Sequence, residues 1–189
     1  MQGRGQDRSL WGPVATQYDR RHVAPPAVVK GWAAVTAFEL RPIGYVRSPL
    51  LELSRIPVGH GAQHQAEGSL ELLPELEAGL TDIEGFSHLY VLWVFHRSAG
   101  CELLYTPPTD TQPHGVFATR SARRPNPLGL TVVELLGRDG HRLQVRGLDM
   151  LDGTPILDIK HYLSSVPSDK LRRGWLAEAE ARARPVTSP

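Results

Sequence analysis

The sequence predicts a mainly β protein, a small antiparallel β-barrel with a C-terminal helix and a disordered or loosely packed N-terminal tail. Three observations predict it. Short alternating or apolar runs recur between residues 38 and 163, turn residues punctuate them, and hardly any helical pattern intervenes. Helical periodicity is confined to the stretch after residue 168, and the first 37 residues show neither period 2 nor period 3.6. The chain therefore divides into an N-terminal extension (1–37), a barrel domain (38–167) and a C-terminal helix with its tail (168–189).

Taken in order, the extension carries Gly3, Gly5, Gly12, Pro13, Pro25 and Pro26 among scattered charges and reads as disordered. It lacks the polybasic start and continuous apolar stretch of a signal peptide. The first strand is expected over 39–47, stopping at Ser48-Pro49. Residues 68–73 alternate again, and 74–80 allow one short helical turn. Over 86–96 the run Leu89-Tyr-Val-Leu-Trp-Val-Phe95 is apolar on both faces, which predicts a central strand covered on both sides. Residues 115–119 read as a further short strand. Residues 131–136 pair with 143–148 across Gly137-Arg-Asp-Gly140, where Asp-Gly is the hairpin signal. A last strand runs over 156–163. Ser168 can cap a helix over 169–182, with Leu171, Trp175, Leu176 and Ala179 as its apolar stripe.

Composition bounds the function. A chain of 189 residues, 41% hydrophobic and 22% charged, suits one globular domain. A formal net charge of +1 excludes the strongly basic profile that would by itself argue for nucleic acid. Of the 21 basic residues 18 are arginine, an overall excess we assign to codon bias, so that only local clusters carry information. The single cysteine, Cys101, cannot form an internal disulfide or a multi-thiolate metal site, and cytoplasm is the expected compartment. The longest apolar run falls far short of the roughly 18 residues of a membrane-spanning helix. No nucleophile elbow, dinucleotide glycine fingerprint or phosphate loop occurs, and no metal site is expected, since the aspartates lack a histidine cluster at ligand spacing.

Three stretches carry chemistry. Residues 115–130 hold Arg120, Arg123 and Arg124 on a segment stiffened by Pro125, Asn126 and Pro127, and a guanidinium fork on a rigid loop suits a carboxylate or phosphate. In residues 147–160, Asp149, Asp152, Asp158 and Lys160 surround an Asp-Gly-Thr-Pro turn. Asp152 can cap that turn, and Asp158 and Lys160 share a strand face and can pair. His96 and Arg97 end the central strand, where a polar group can enter a pocket. Arg172, Arg173, Arg182 and Arg184 offer a weaker polyanion candidate.

Ile43-Gly-Tyr-Val-Arg-Ser-Pro49, Gly85-Phe-Ser-His-Leu89 and the stretches 115–130 and 148–162 together resemble the TsaA-like, or TrmO, family of S-adenosylmethionine-dependent tRNA (adenine-N6)-methyltransferases. The resemblance covers roughly residues 39–163. It implies a homodimeric β-barrel that methylates N6 of threonylcarbamoyladenosine at position 37, in the tRNA anticodon loop. Its cofactor contacts would fall on His96, Arg97, Arg120, Leu130, Arg146, Gly147, Leu148 and Asp149. A further family loop is replaced here by a different sequence, which leaves Gly59, His60 and Gly61 as its counterparts. Arg123, Arg124, Asn126 and Lys160 would meet the acceptor, and Asp152 or Asp158 would take its proton. The chain resembles the short members, without the additional C-terminal domain of some bacterial ones. Alternatives are a methyltransferase for a small anionic or nucleotide-like acceptor and a non-catalytic RNA- or nucleotide-binding barrel.

Overall fold

The computed structural model describes residues 39–57, 64–163, 165, 167, 170 and 174–183. The expected N-terminal tail, the counterpart loop at Gly59, His60 and Gly61, the Ser168 cap and Arg172, Arg173 and Arg184 lie outside the described residues.

Among the described residues a closed antiparallel barrel forms the centre of the molecule, as the close spacing of short strands predicts. Its strands are β1 (Gly44–Arg47), β2 (Glu67–Leu72), β3 (His88–Val94), β6 (Leu128–Asp139), β7 (Arg142–Arg146) and β8 (Pro155–His161). Two further strands, β4 (Leu104–Tyr105) and β5 (His114–Gly115), form a small hairpin-like sheet of their own. Around the barrel the order is β1-β2-β7-β6-β3-β8, with Gly44 of β1 paired to Ile156 of β8 to close it. Closure leaves no exposed barrel edge along most of the sheet. The interior is filled by the inward-facing residues of each strand, among them Val46, Leu70, Leu89, Val91, Val133 and Leu143, all fully buried.

Several expected boundaries move. The first strand starts at Gly44, because Pro42 lacks a ladder donor and the chain reaches the barrel only at Ile43, whose amide bonds Ile156. The turn at 74–80 forms as expected, as a 3-10 helix. β3 pairs on both sides, with β6 and β8, yet only its inner face (Leu89, Val91, Trp93) is buried, while Tyr90, Leu92 and Val94 are half-buried. It is thus central in pairing but covered on one side. The expected strand at 115–119 is instead the end of β5 followed by a 3-10 turn, Val116–Ala118, because the Thr119 amide and hydroxyl both bond back to the Val116 carbonyl. The helix α1 spans Trp175–Ala183, beginning after Gly174 rather than at 169.

Two irregularities shape one end of the barrel. β8 carries a bulge at Leu157, between the pairs Leu92–Asp158 and Trp93–Ile156, which keeps Trp93 turned inward. β7 meets β6 only from Glu134 onward, so residues 128–133 of β6 are laddered to β3 alone. A seam is left at that point, and the candidate site is built on it.

Candidate functional site

At the seam, β3 ends, β6 begins and the β7–β8 connection passes overhead. Gly147, with φ of +99°, turns the chain out of β7, and its amide and that of Leu148 both donate to the Ala66 carbonyl. Asp149 is thereby laid beside the open edge of β6. Its Oδ1 accepts the Thr131 hydroxyl at 2.6 Å, and the Thr131 oxygen in turn accepts the Trp93 indole N–H at 3.0 Å. Trp93 and Thr131 are buried, so this chain holds the half-buried Asp149 carboxylate in one orientation. Trp93 lies flat on Gly129, where any Cβ would stand 2.2 Å from the indole Cε2.

Two adjoining cavities of about 310 and 360 Å3 open here and share a wall of Ile56, Trp93 and Phe95. The Trp93 and Phe95 rings meet edge to face with centroids 4.3 Å apart. His96, Arg97, Arg123 and Thr154 help line the first cavity, and Arg120, Arg124, Leu130 and Asp149 the second. Burial, then the positive charge of Arg97, hold the His96 imidazole below its ordinary pKa, against a hydrogen bond to Val94 that favours its charged form. Both effects favour the neutral imidazole, and with its one N–H given to the Val94 carbonyl the other ring nitrogen is left as an acceptor.

Besides its prolines, two buried hydroxyls hold the arginine loop. Thr119 Oγ1 accepts the Ser121 amide at 3.3 Å, and Ser121 Oγ accepts the Arg123 amide at 3.2 Å. From the barrel side, Ser98 Oγ donates to the Ala122 carbonyl and the Glu102 amide to the Arg123 carbonyl. Arg120 then donates to the Leu130 carbonyl on the open edge of β6, and Arg124 to the Thr119 carbonyl. Neither carbonyl neutralises a guanidinium, so both retain charge for an anion. Arg123 is instead paired with Glu102.

The remaining expected site residues fall elsewhere. Leu148 is fully buried in the core, and Arg146 lies on the outer barrel face, bridging Glu67 and Glu134 at 2.8 and 2.9 Å. Asn126 is exposed at the loop apex, where its carbonyl accepts the Leu128 amide. Asp158 pairs with Lys160 at 2.7 Å, opposite the outward-facing Leu92 and Tyr90. Asp152 Oδ1 caps the Ser48 amide at 3.1 Å and joins the end of β1 to the β7–β8 connection. Neither Asp152 nor Asp158 lines either of these two cavities, whereas Asp149 lines the second. The structure also groups the arginines differently from the expected division between donor and acceptor: Arg124 shares a cavity with Arg120 and Asp149, and Arg123 shares one with His96 and Arg97. Trp93, Thr131, Thr119 and Ser121 were not singled out by the sequence, in which they read as ordinary strand and loop residues. The one available signal was the hydroxyl alternation Thr119-Arg-Ser121 at the loop entrance.

Fold and site together define a small closed barrel with a two-lobed, arginine-lined cleft at its seam, sized for a nucleotide-like ligand. The model of the tRNA-methyltransferase O N-terminal domain matches residues 45–168, and the chain belongs to that family. It is 47% identical over 148 residues to a probable S-adenosyl-L-methionine-binding protein of Archaeoglobus fulgidus, covering 77% of this chain and 40% of that one. To the tRNA (adenine(37)-N6)-methyltransferase of Escherichia coli it is 40% identical over 139 residues, covering 68% of this chain and 59% of that one. The crystal structure of TrmO from Pseudomonas aeruginosa matches with a TM-score of 0.61 and 38% identity, over 74% of this chain and 63% of that one. The chain thus spans about two-fifths to three-fifths of the length of these relatives.

Proposed function

We propose that the protein is an S-adenosylmethionine-dependent methyltransferase that acts on N6 of threonylcarbamoyladenosine at position 37 of tRNA, in the cytoplasm and as a homodimer. One observation carries the reading: His96, Arg97, Arg120, Leu130 and Asp149, each a cofactor position by family resemblance, line the two halves of one cleft. The names of the relatives support the cofactor and, as far as N6 of adenine 37 in tRNA, the acceptor.

The cleft chemistry fits the cofactor. Trp93 and Phe95 offer an aromatic wall to an adenine, Asp149 an acceptor to ribose hydroxyls or an ammonium, and Arg97 or Arg120 a fork to a carboxylate. When bound, S-adenosylmethionine supplies an activated methyl group. The residues of this chain contribute position. Arg120 and Asp149, each held by a backbone or hydroxyl partner, would fix the donor so that the ureido N6–H of the acceptor can approach in line, its proton leaving to solvent. Arg124, and Arg123 on exchanging its exposed partner Glu102, would meet the phosphates of the acceptor at the cleft, and Asn126 stands exposed beyond them. The homodimer is supported by the outward face of β6 and its surroundings, where Leu130, Val132 and Tyr162 are 40–47% exposed.

Incubation with S-adenosylmethionine and unfractionated tRNA, followed by digestion and mass spectrometry, tests the reading. A methyl gain on threonylcarbamoyladenosine is expected. Cofactor binding without that gain would point to a small acceptor, and absence of cofactor binding to a non-catalytic nucleotide-binding barrel.

A further inference from the structure

The arginine loop hangs on a segment outside the barrel. Residues 110–118, which include β5 and the 3-10 turn, lead directly into Thr119 and Arg120. Helix α1 grips this segment at three points. The Trp175 indole N–H donates to the Ala118 carbonyl at 3.0 Å, and its ring stacks on His114 with centroids 4.2 Å apart and planes 12° from parallel. Two turns on, Arg182 reaches the carboxylate of Asp110 at 3.0 Å. Only 6% of the Asp110 side chain is exposed, and it also accepts the amides of Thr111 and Gln112 and meets His114 Nε2. Trp175, Ala179 and Arg182 share one helix face, so a single stripe of α1 makes these contacts, with Ala179 buried beneath it.

We propose that Trp175 is a positioning residue for the cleft, and that α1 is a brace which sets where Arg120 stands. This rests on the reading that Arg120 holds the cofactor. Ala118 is the last residue of the 3-10 turn, and the Thr119 carbonyl that follows accepts Arg124. A shift of the Ala118 peptide therefore moves both arginines of the second cavity, while Arg123, tied to Thr119 only through Ser121, is also anchored by Glu102. A binding group displaced by about 1 Å loses much of its effect.

The test uses the whole chain. Trp175→Phe keeps an aromatic ring for His114 and removes the N–H donor. Calorimetric affinity for S-adenosylmethionine is expected to fall about fivefold through the displaced arginines, with KM for the cofactor raised more than kcat is lowered and the melting temperature down by only a few degrees for the lost hydrogen bond. Arg182→Ala, which frees the far end of the helix, should act in the same direction and serves should the tryptophan variant fold poorly. Amide exchange over 119–124 provides a readout independent of the cofactor: it should quicken in both variants. If the wild-type chain binds no cofactor, the functional reading fails, and the exchange rates alone decide whether the brace exists. Unchanged exchange in both variants, or, where the wild-type chain binds the cofactor, unchanged affinity in both variants, would overturn the proposal.

Discussion

Trp93 can lie across the inside of the seam only because residue 129 has no Cβ. The indole then finds the Thr131 hydroxyl, and that hydroxyl reaches Asp149. Gly129→Ala must displace either the ring or the start of β6. It is expected to destabilise the protein by about 1–3 kcal/mol, measured by urea unfolding, and to weaken cofactor binding at the same time. Wild-type stability and affinity would show that the indole has another resting place. His96 gives a second residue-level prediction, concerning pH. Its folded pKa lies below the ordinary value of about 6.5, so between the two values the unfolded chain binds more protons and stability rises with pH. That contribution is fully present above about pH 6.5 and is lost as the pH falls through the folded value. An NMR titration should place the His96 midpoint below 6.5, and a midpoint above it would mean that a nearby negative charge outweighs burial and Arg97.

Among the elements, the barrel strands were the most legible, because alternation in β1, β7 and the first half of β6 and the apolar run of β3 are bounded by turn residues. The 3-10 turn at Val116–Ala118 was not, since Gly115-Val-Phe-Ala-Thr119 carries β-branched and aromatic residues, and what stands against a strand is the Thr119 amide and hydroxyl bonding back to Val116. The seam was equally hidden: nothing in residues 128–139 marks that β7 leaves β6 at Glu134. The arginine loop was recognised from its arginines and prolines, but part of what holds it is buried side-chain chemistry that sequence does not rank. Ser121→Ala tests that assignment. Removing the Oγ leaves the Arg123 amide without its acceptor, for an expected loss of about 1 kcal/mol in unfolding free energy and faster amide exchange confined to the loop. Exchange as slow as in the wild type would return the credit to Pro125 and Pro127.

For the whole molecule, of the cofactor positions that the family resemblance implies, His96, Arg97, Arg120, Leu130 and Asp149 come together at the ends of β3 and β6. Strand alternation and the turn at Gly147 send the Arg146 side chain to the outer surface and that of Leu148 into the core. The same alternation turns Leu130 and Val132 outward, next to the cleft, on the face we assign to the homodimer. Val132→Glu should convert a dimer to a monomer in light scattering; a monomeric wild type would remove that part of the reading. The central claim is that the seam cleft is the S-adenosylmethionine site, and isothermal titration of the cofactor into the wild-type chain and Arg120→Ala tests it most directly. One site per chain is predicted for the wild type, with roughly ten- to a hundredfold weaker binding in the variant, as loss of a charge-assisted hydrogen bond implies. Equal affinity in the two proteins would contradict it.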